Sequence, residues 1–169
     1  KSYYKSGQTR PLQHRLTALN YLKDAIKRHE AEVIKALHQD LKKSEFESYM
    51  TEIGILYTEI DYTIKHLKKW MKPKKVKTAL THVGTKGKIY PDPYRVTLII
   101  APWNYPFQLA MAPLIGAIAG GNTAIVKPSE LTPHTAEVIE KIITDAFIPE
   151  FIVVKQGGID VSQQLLDTP

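Results

Sequence analysis

Residues 96–130 read VTLIIAPWNYPFQLAMAPLIGAIAGGNTAIVKPSE, and the order of patterns within them decides the fold. An apolar run over 96–101 stops at a turn bracketed by Pro102 and Pro106, and a second apolar segment covers 107–119. Gly120, Gly121 and Asn122 break that segment, after which the short run Ala124, Ile125, Val126 halts at Lys127 and Pro128. Two short continuous apolar runs joined by a helix-length segment predict a parallel βαβ unit, whose strands are buried on both faces and so do not alternate. Ligands in such units bind beyond the carboxyl ends of the strands. Asn104 and Lys127 fall at those two ends.

The flanks extend the same pattern. Thr132 and Pro133 open a helix running through Ala136, Ile139 and Ile143 to Ala146, residues 151–154 form a third apolar strand, and Asp160 is expected to cap a last short helix after Gly157 and Gly158. The order βαβαβα, with right-handed crossovers expected, gives an α/β chain carrying half of a doubly wound parallel sheet. Upstream, apolar residues spaced by three and four predict helices over 11–29, with Thr9 as the expected cap, and over 30–41. A third starts at Ser44, with Glu47 in the capping-box position and a stripe of Met50, Ile53, Tyr57, Ile60, Ile64 and Leu67. Pro73 closes it. The 76–90 stretch, rich in Thr, Val and Lys and broken by Gly84 and Gly87, reads as a two-stranded arm. An isolated hairpin is marginal in water, so this arm is expected to pack on another domain or subunit.

Composition bounds the function. The 169 residues suffice for one domain with a core, and no cysteine is present, which excludes a disulfide framework, a thiolate metal site and cysteine catalysis within these residues. The formal charge of +6 lies on polar helix faces and in the 68–77 lysine cluster without a nucleic-acid module, so a solvated basic face and no nucleic-acid partner are expected. The 107–126 stretch approaches the length of a bilayer span, but Gln108, Pro113 and the Gly120-Gly121-Asn122 break favour a buried helix followed by a strand, and no membrane partner is expected. The start shows no signal-peptide pattern, and a cytoplasmic location is the expectation. His14, His29, His38, His66, His82 and His134 have no metal-ligand spacing, so no metal site is proposed.

Candidate chemistry is confined to the two strand ends. No Gly-x-Gly-x-x-Gly follows the first strand, so a nucleotide must be held by other means. Lys127 and Glu130 supply an ammonium and a carboxylate that can donate to and accept from two ribose hydroxyls; the alternative is a loop lysine and a glutamate placed near a helix N-terminus for its dipole. Asn104 offers two uncharged N–H donors on a turn stiffened by proline, which suits stabilisation of a developing oxyanion; the alternative is an ordinary turn asparagine. Trp103 and Tyr105 are pocket walls or core.

Pro102-Trp103-Asn104-Tyr105-Pro106, Gly120-Gly121-Asn122-Thr123 and Lys127-Pro128-Ser129-Glu130, in that order and spacing, resemble the aldehyde dehydrogenase superfamily, and most closely its class 3-like branch. Residues 15–22, Ala36-Leu37, Asp40-Leu41, Lys43-Ser44 and Glu52-Ile53 also fit that branch. The resemblance implies that Asn104 is the side-chain half of the oxyanion hole. It implies too that Lys127 and Glu130 bind the adenosine ribose of NAD or NADP, that Ala101, Pro102 and Trp103 line the cofactor cleft, and that Tyr105 faces the aldehyde. On the same basis residues 1–73 are the amino-terminal helices of the cofactor-binding domain, 74–92 an arm of the oligomerisation region through which a homodimer forms, and 93–169 the βαβαβα part of the NAD(P)-binding domain.

Two departures carry weight. The family usually has glycine in the turn before the first strand, and Arg95 stands here; a positive φ would strain it. The Gly-Ser turn, the general-base glutamate and the nucleophilic cysteine of the family come farther along than Pro169, so the catalytic domain is expected to be absent from this chain and the chain alone inactive. The alternative is a non-catalytic remnant that binds a nucleotide or a partner.

Overall fold

The computed structural model describes residues 2–79, 81 and 84–167. Of the sequence expectations, those on His82, on the part of the arm at 80, 82 and 83, and on the terminal Pro169 lie outside the described residues. A short α1 (Ser2–Lys5), which the spacing does not predict, is followed by α2 (Leu12–Arg28) and α3 (Glu30–Leu41). Next come α4 (Glu45–Ser48), a π-helical turn (Tyr49–Ile53) and α5 (Gly54–Trp70). A hairpin of β1 (Lys74–Val76) and β2 (Gly87–Ile89) precedes the α/β part: β3 (Val96–Ile100), α6 (Gln108–Gly120), β4 (Thr123–Lys127), α7 (Pro133–Ala146), β5 (Ile152–Val154) and α8 (Ile159–Leu166). The three-stranded sheet is parallel in the order β3-β4-β5, and the hairpin is antiparallel with Lys75 opposite Lys88.

The sheet is covered unevenly. Ile99, Val126 and Val154, in register across the three strands, are buried against the helical layer together with Ala124 and Ile152. Leu98, Ile125 and Val153, in register on the opposite face, are only half-buried and line an apolar hollow bordered by Leu165 of α8. On β4 both faces are largely covered, with Thr123 and Lys127 buried as well as Ala124 and Val126, so this strand does not alternate, as expected; only Ile125 is half-open on the face away from α6 and α7. The core beneath them joins Leu19, Leu22 and Ile26 of α2, Val33 and Leu37 of α3, Leu56, Ile60 and Leu67 of α5, Met111, Leu114 and Ile115 of α6, and Ile139 and Ile142 of α7.

Three local expectations are corrected. Thr9 does not cap α2: Pro11 occupies the N-cap without a side-chain bond, and the Thr9 carbonyl instead accepts from Arg15 Nε at 3.1 Å. Asp160 lies inside the first turn of α8, and Gly158 stands at its N-cap. The stripe from Met50 onward fails at its start. The π-helical turn inserts an extra residue into the helical repeat, which swings Met50 out to 56% exposure and turns Glu52 completely inward. Ser44 does cap α4, its hydroxyl accepting from Glu47 N at 3.1 Å.

The Gly120-Gly121-Asn122 break is a helix stop with tight steric demands. Gly121 sits at φ 81° as the αL cap of α6, and a Cβ there would lie 2.5 Å from Arg15 Nη2. That guanidinium is held by the Thr9 and Ala119 carbonyls. Asn122 then turns back, its Oδ1 accepting from Arg95 N at 2.9 Å, while Thr123 N donates to the Arg95 carbonyl at 2.9 Å. Arg95 is held at φ 96°, so the departure noted in the sequence is a real strain.

Candidate functional site

β3 and β4 run parallel and in register, with Ile100 opposite Lys127, so the segments that leave their carboxyl ends emerge side by side. Ala101 N extends the ladder by donating to the Lys127 carbonyl at 3.0 Å, and Ala101 is buried. The chain then turns through Pro102, Trp103, Asn104 and Tyr105, all exposed, before Pro106 and Phe107 dive back into the core. Trp103 is 53% and Tyr105 40% exposed, so neither is a core residue.

The Asn104 turn is fixed by residues from the amino-terminal helices. Glu52, fully buried by the π-helical turn, accepts through Oε2 from Phe107 N at 2.9 Å and Gln108 N at 3.2 Å, closing the start of α6. Its other oxygen receives Lys43 Nζ, whose side chain is also buried. The same ammonium donates to the Asn104 carbonyl at 3.3 Å and lies 4.0 Å from the centre of the Tyr105 ring. With its backbone held in this way, Asn104 presents its side-chain amide to solvent with no hydrogen-bond partner among the described residues. Sequence reasoning missed Lys43 and Glu52 as site residues. A signal was present: Glu52 lies four residues before Leu56, which begins the buried series Leu56, Ile60, Thr63, Leu67, so a charge stands on a core-facing stripe.

At the end of β4, Lys127 is buried to 3% exposure, and its Nζ donates to Glu130 Oε2 at 2.6 Å. The Glu130 carboxylate is 40% exposed. Its pKa is lowered, first by the hydrogen bond from Lys127 and further by a backbone hydrogen bond. The intervening turn is closed by Ser129, whose hydroxyl accepts from Leu131 N at 3.2 Å. Glu130 is not bound to the first turn of α7. That turn is closed by Asp40, which accepts from His134 N and Thr135 N. The dipole explanation of Glu130 therefore has no bond behind it.

An ammonium and a carboxylate 2.6 Å apart, one buried and one open, form a donor–acceptor pair able to take a cis-diol, donating to one hydroxyl and accepting from the other. The chemistry of this donor set is that of a site for a vicinal diol such as a ribose carries. No group of His, Asp or Glu among the described residues could hold a metal ion. No helix among them is long and apolar enough to cross a membrane.

Comparison with known proteins agrees in extent with this architecture. The model of the aldehyde dehydrogenase family matches residues 1–169. The chain is 47% identical over its whole length to the 4,4'-diaponeurosporen-aldehyde dehydrogenase of Staphylococcus aureus, of which it covers 37%. It is 40% identical, over 95% of its length, to aldehyde dehydrogenase family 3 member A2 of Macaca fascicularis, of which it covers 33%. A solved substrate-bound structure of Staphylococcus aureus AldH superposes with a TM-score of 0.96 at 48% identity, over 98% of this chain and 36% of that one. The chain therefore spans about a third of the length of the relatives it matches, and it belongs to the aldehyde dehydrogenase family.

Proposed function

We propose that this chain supplies the ribose-binding and oxyanion-binding share of an NAD(P)-dependent aldehyde dehydrogenase, which converts an aldehyde, NAD(P)+ and water into a carboxylate, NAD(P)H and two protons. The observation that carries the reading is the pairing of two strand ends: an unpartnered Asn104 amide on a clamped turn after β3, and a Lys127–Glu130 pair after β4. NAD or NADP, when bound, accepts the hydride. Lys127 and Glu130 hold its ribose, Ala101, Pro102 and Trp103 line the cleft, and Tyr105 borders the aldehyde. Asn104 donates an N–H to the aldehyde oxygen as it gains charge on attack by a thiol, and releases it when the carbonyl re-forms.

The thiol has to come from outside these 169 residues, which contain no cysteine, so the chain by itself is proposed to be inactive. Purified 169-residue chain, offered an aldehyde and NAD+ or NADP+, is expected to form no NAD(P)H. Retained binding of NAD(P) with no turnover also suits the second reading, a nucleotide-binding remnant. The two are separated in an enzyme that joins this chain to a catalytic domain of the family. There Asn104→Ala is expected to lower kcat by roughly a hundredfold with little change in KM, and an unchanged kcat returns Asn104 to a turn residue. The β1–β2 hairpin is proposed as the arm of a homodimer, and the cytoplasm as the setting. Support for the arm is that Val76 and Ile89 are exposed at 43% and 59%.

A further inference from the structure

We infer that Lys43 and Glu52 are positioning residues for the oxyanion donor: a buried ion pair that sets where the Asn104 amide points without touching substrate or cofactor. The inference rests on the proposed role of Asn104. The geometry is a clamp with three attachments on one short turn. Lys43 Nζ donates to the carbonyl of Asn104 itself at 3.3 Å, and the same ammonium lies 4.0 Å from the centre of the next residue's ring, Tyr105. Glu52 holds the backbone N–H groups of Phe107 and Gln108 at 2.9 and 3.2 Å. Lys43 and Glu52 are joined to each other, so the two halves of the turn share one rigid anchor.

A purely structural need would not require charge here. Helix α6 could be closed by a neutral cap, and a buried ion pair replaced by apolar residues of like volume is often no loss to stability. What the pair provides is direction. A donor serves an oxyanion only if it is aimed before charge develops, since reorientation during the reaction consumes the advantage. Because the exposed Asn104 side chain has no hydrogen-bond partner of its own among the described residues, its aim depends on its backbone, and its backbone carbonyl is held by Lys43. The π-helical turn at Tyr49–Ile53 fits this role, because it brings a charged side chain onto a core-facing position.

The test uses the enzyme that joins this chain to a catalytic domain of the family. The double variant Lys43→Met, Glu52→Gln removes both charges together and leaves an amide oxygen for Phe107 N and Gln108 N, so neither charge is stranded. Lys43→Met and Glu52→Gln are also made singly. Expected are a kcat lowered about tenfold in the double variant, an unchanged Kd for NAD(P)H read by fluorescence, and an unchanged KM for the aldehyde. In an Asn104→Ala background the same double variant is expected to change kcat less than about twofold, because the donor it aims is gone. An equal loss in both backgrounds would show ordinary structural damage and overturn the inference. A slowed Asn104→Ala enzyme beside a double variant at full turnover overturns the inference alone. An Asn104→Ala enzyme at full turnover overturns the oxyanion reading and the inference with it.

Discussion

Asp40, at the end of α3, closes the amino terminus of α7 through Thr135: Oδ2 accepts from Thr135 N at 2.8 Å and from Thr135 Oγ1 at 2.7 Å. Its other oxygen meets His134 Nδ1 at 2.7 Å, and the carboxylate is only 2% exposed. Thr132, the residue at the N-cap of α7, makes no side-chain cap bond, so Asp40, 95 positions before Thr135, does that work. Asp40→Ala leaves several donors of α7 unpaired and is expected to cost about 2 kcal/mol, read as a lower urea midpoint with an unchanged m-value. A loss below about 0.5 kcal/mol would mean that solvent replaces the cap.

Arg95 has the left-handed backbone conformation that glycine adopts without penalty. Its φ of 96° is stabilised by the Asn122 side chain on one side and by Thr123 on the other. Those bonds use only Arg95 backbone groups, so glycine can keep them. Relief of about 1–2 kcal/mol of strain, set against about 0.5–1 kcal/mol of extra chain entropy in the unfolded state, predicts that Arg95→Gly stabilises the protein by roughly 0.5–1 kcal/mol. Thermal unfolding reads this as a rise in Tm; a fall would show that the Arg95 side chain makes a compensating contribution.

Legibility followed the range of the forces involved. The βαβ order was readable because continuous apolar runs and a glycine stop are local features, and the helix at Gln108–Gly120 falls within a residue of the predicted span. Lys127 and Glu130 could be paired from their spacing on a strand end. The failures are of two kinds, cap positions off by two residues and contacts made from far away in the chain. Thr9 does not cap α2 because Pro11 takes the N-cap two residues farther on, leaving the Thr9 hydroxyl buried without a partner among the described residues, and Met50 left the core because the chain there widens into a π-turn that buries Glu52. Neither Asp40 on α7 nor Lys43 behind Asn104 leaves a local trace, since each acts on a segment more than 60 residues away.

His14 places an imidazole edge-on to Phe151, with ring centroids 5.1 Å apart, and its Nε2 is buried with no partner among the described residues. Burial first, and the neighbouring Arg15 charge second, lower its pKa. Between the ordinary and the lowered value the unfolded chain binds the proton and the folded chain does not. The stability associated with neutral His14 is therefore complete above the ordinary histidine range and is lost as pH falls through the lowered value. His14→Phe is expected to flatten the dependence of the urea midpoint on pH between about 7 and 5. The same slope in both proteins would place the acid sensitivity elsewhere.

Glu130 is shifted in the same sense, and under the proposed function its charge bears on binding. Its pKa is lowered chiefly by the Lys127 hydrogen bond, so the carboxylate stays ionised well below neutrality, and the pair is lost only as pH falls through that lowered value. Affinity for NAD(P)H is therefore expected to owe nothing to Glu130 titration between about pH 6 and 8. Glu130→Gln keeps an acceptor but loses the charge and is expected to weaken NAD(P)H about tenfold, the lower end for charge-assisted bonds because the group is 40% exposed. Lys127→Met is expected to weaken it more, since the buried donor disappears and the carboxylate loses its partner. Fluorescence titration of both variants across that pH range decides the matter: affinities equal to the parent would leave Glu130 as the counter-ion of Lys127 and place the ribose elsewhere.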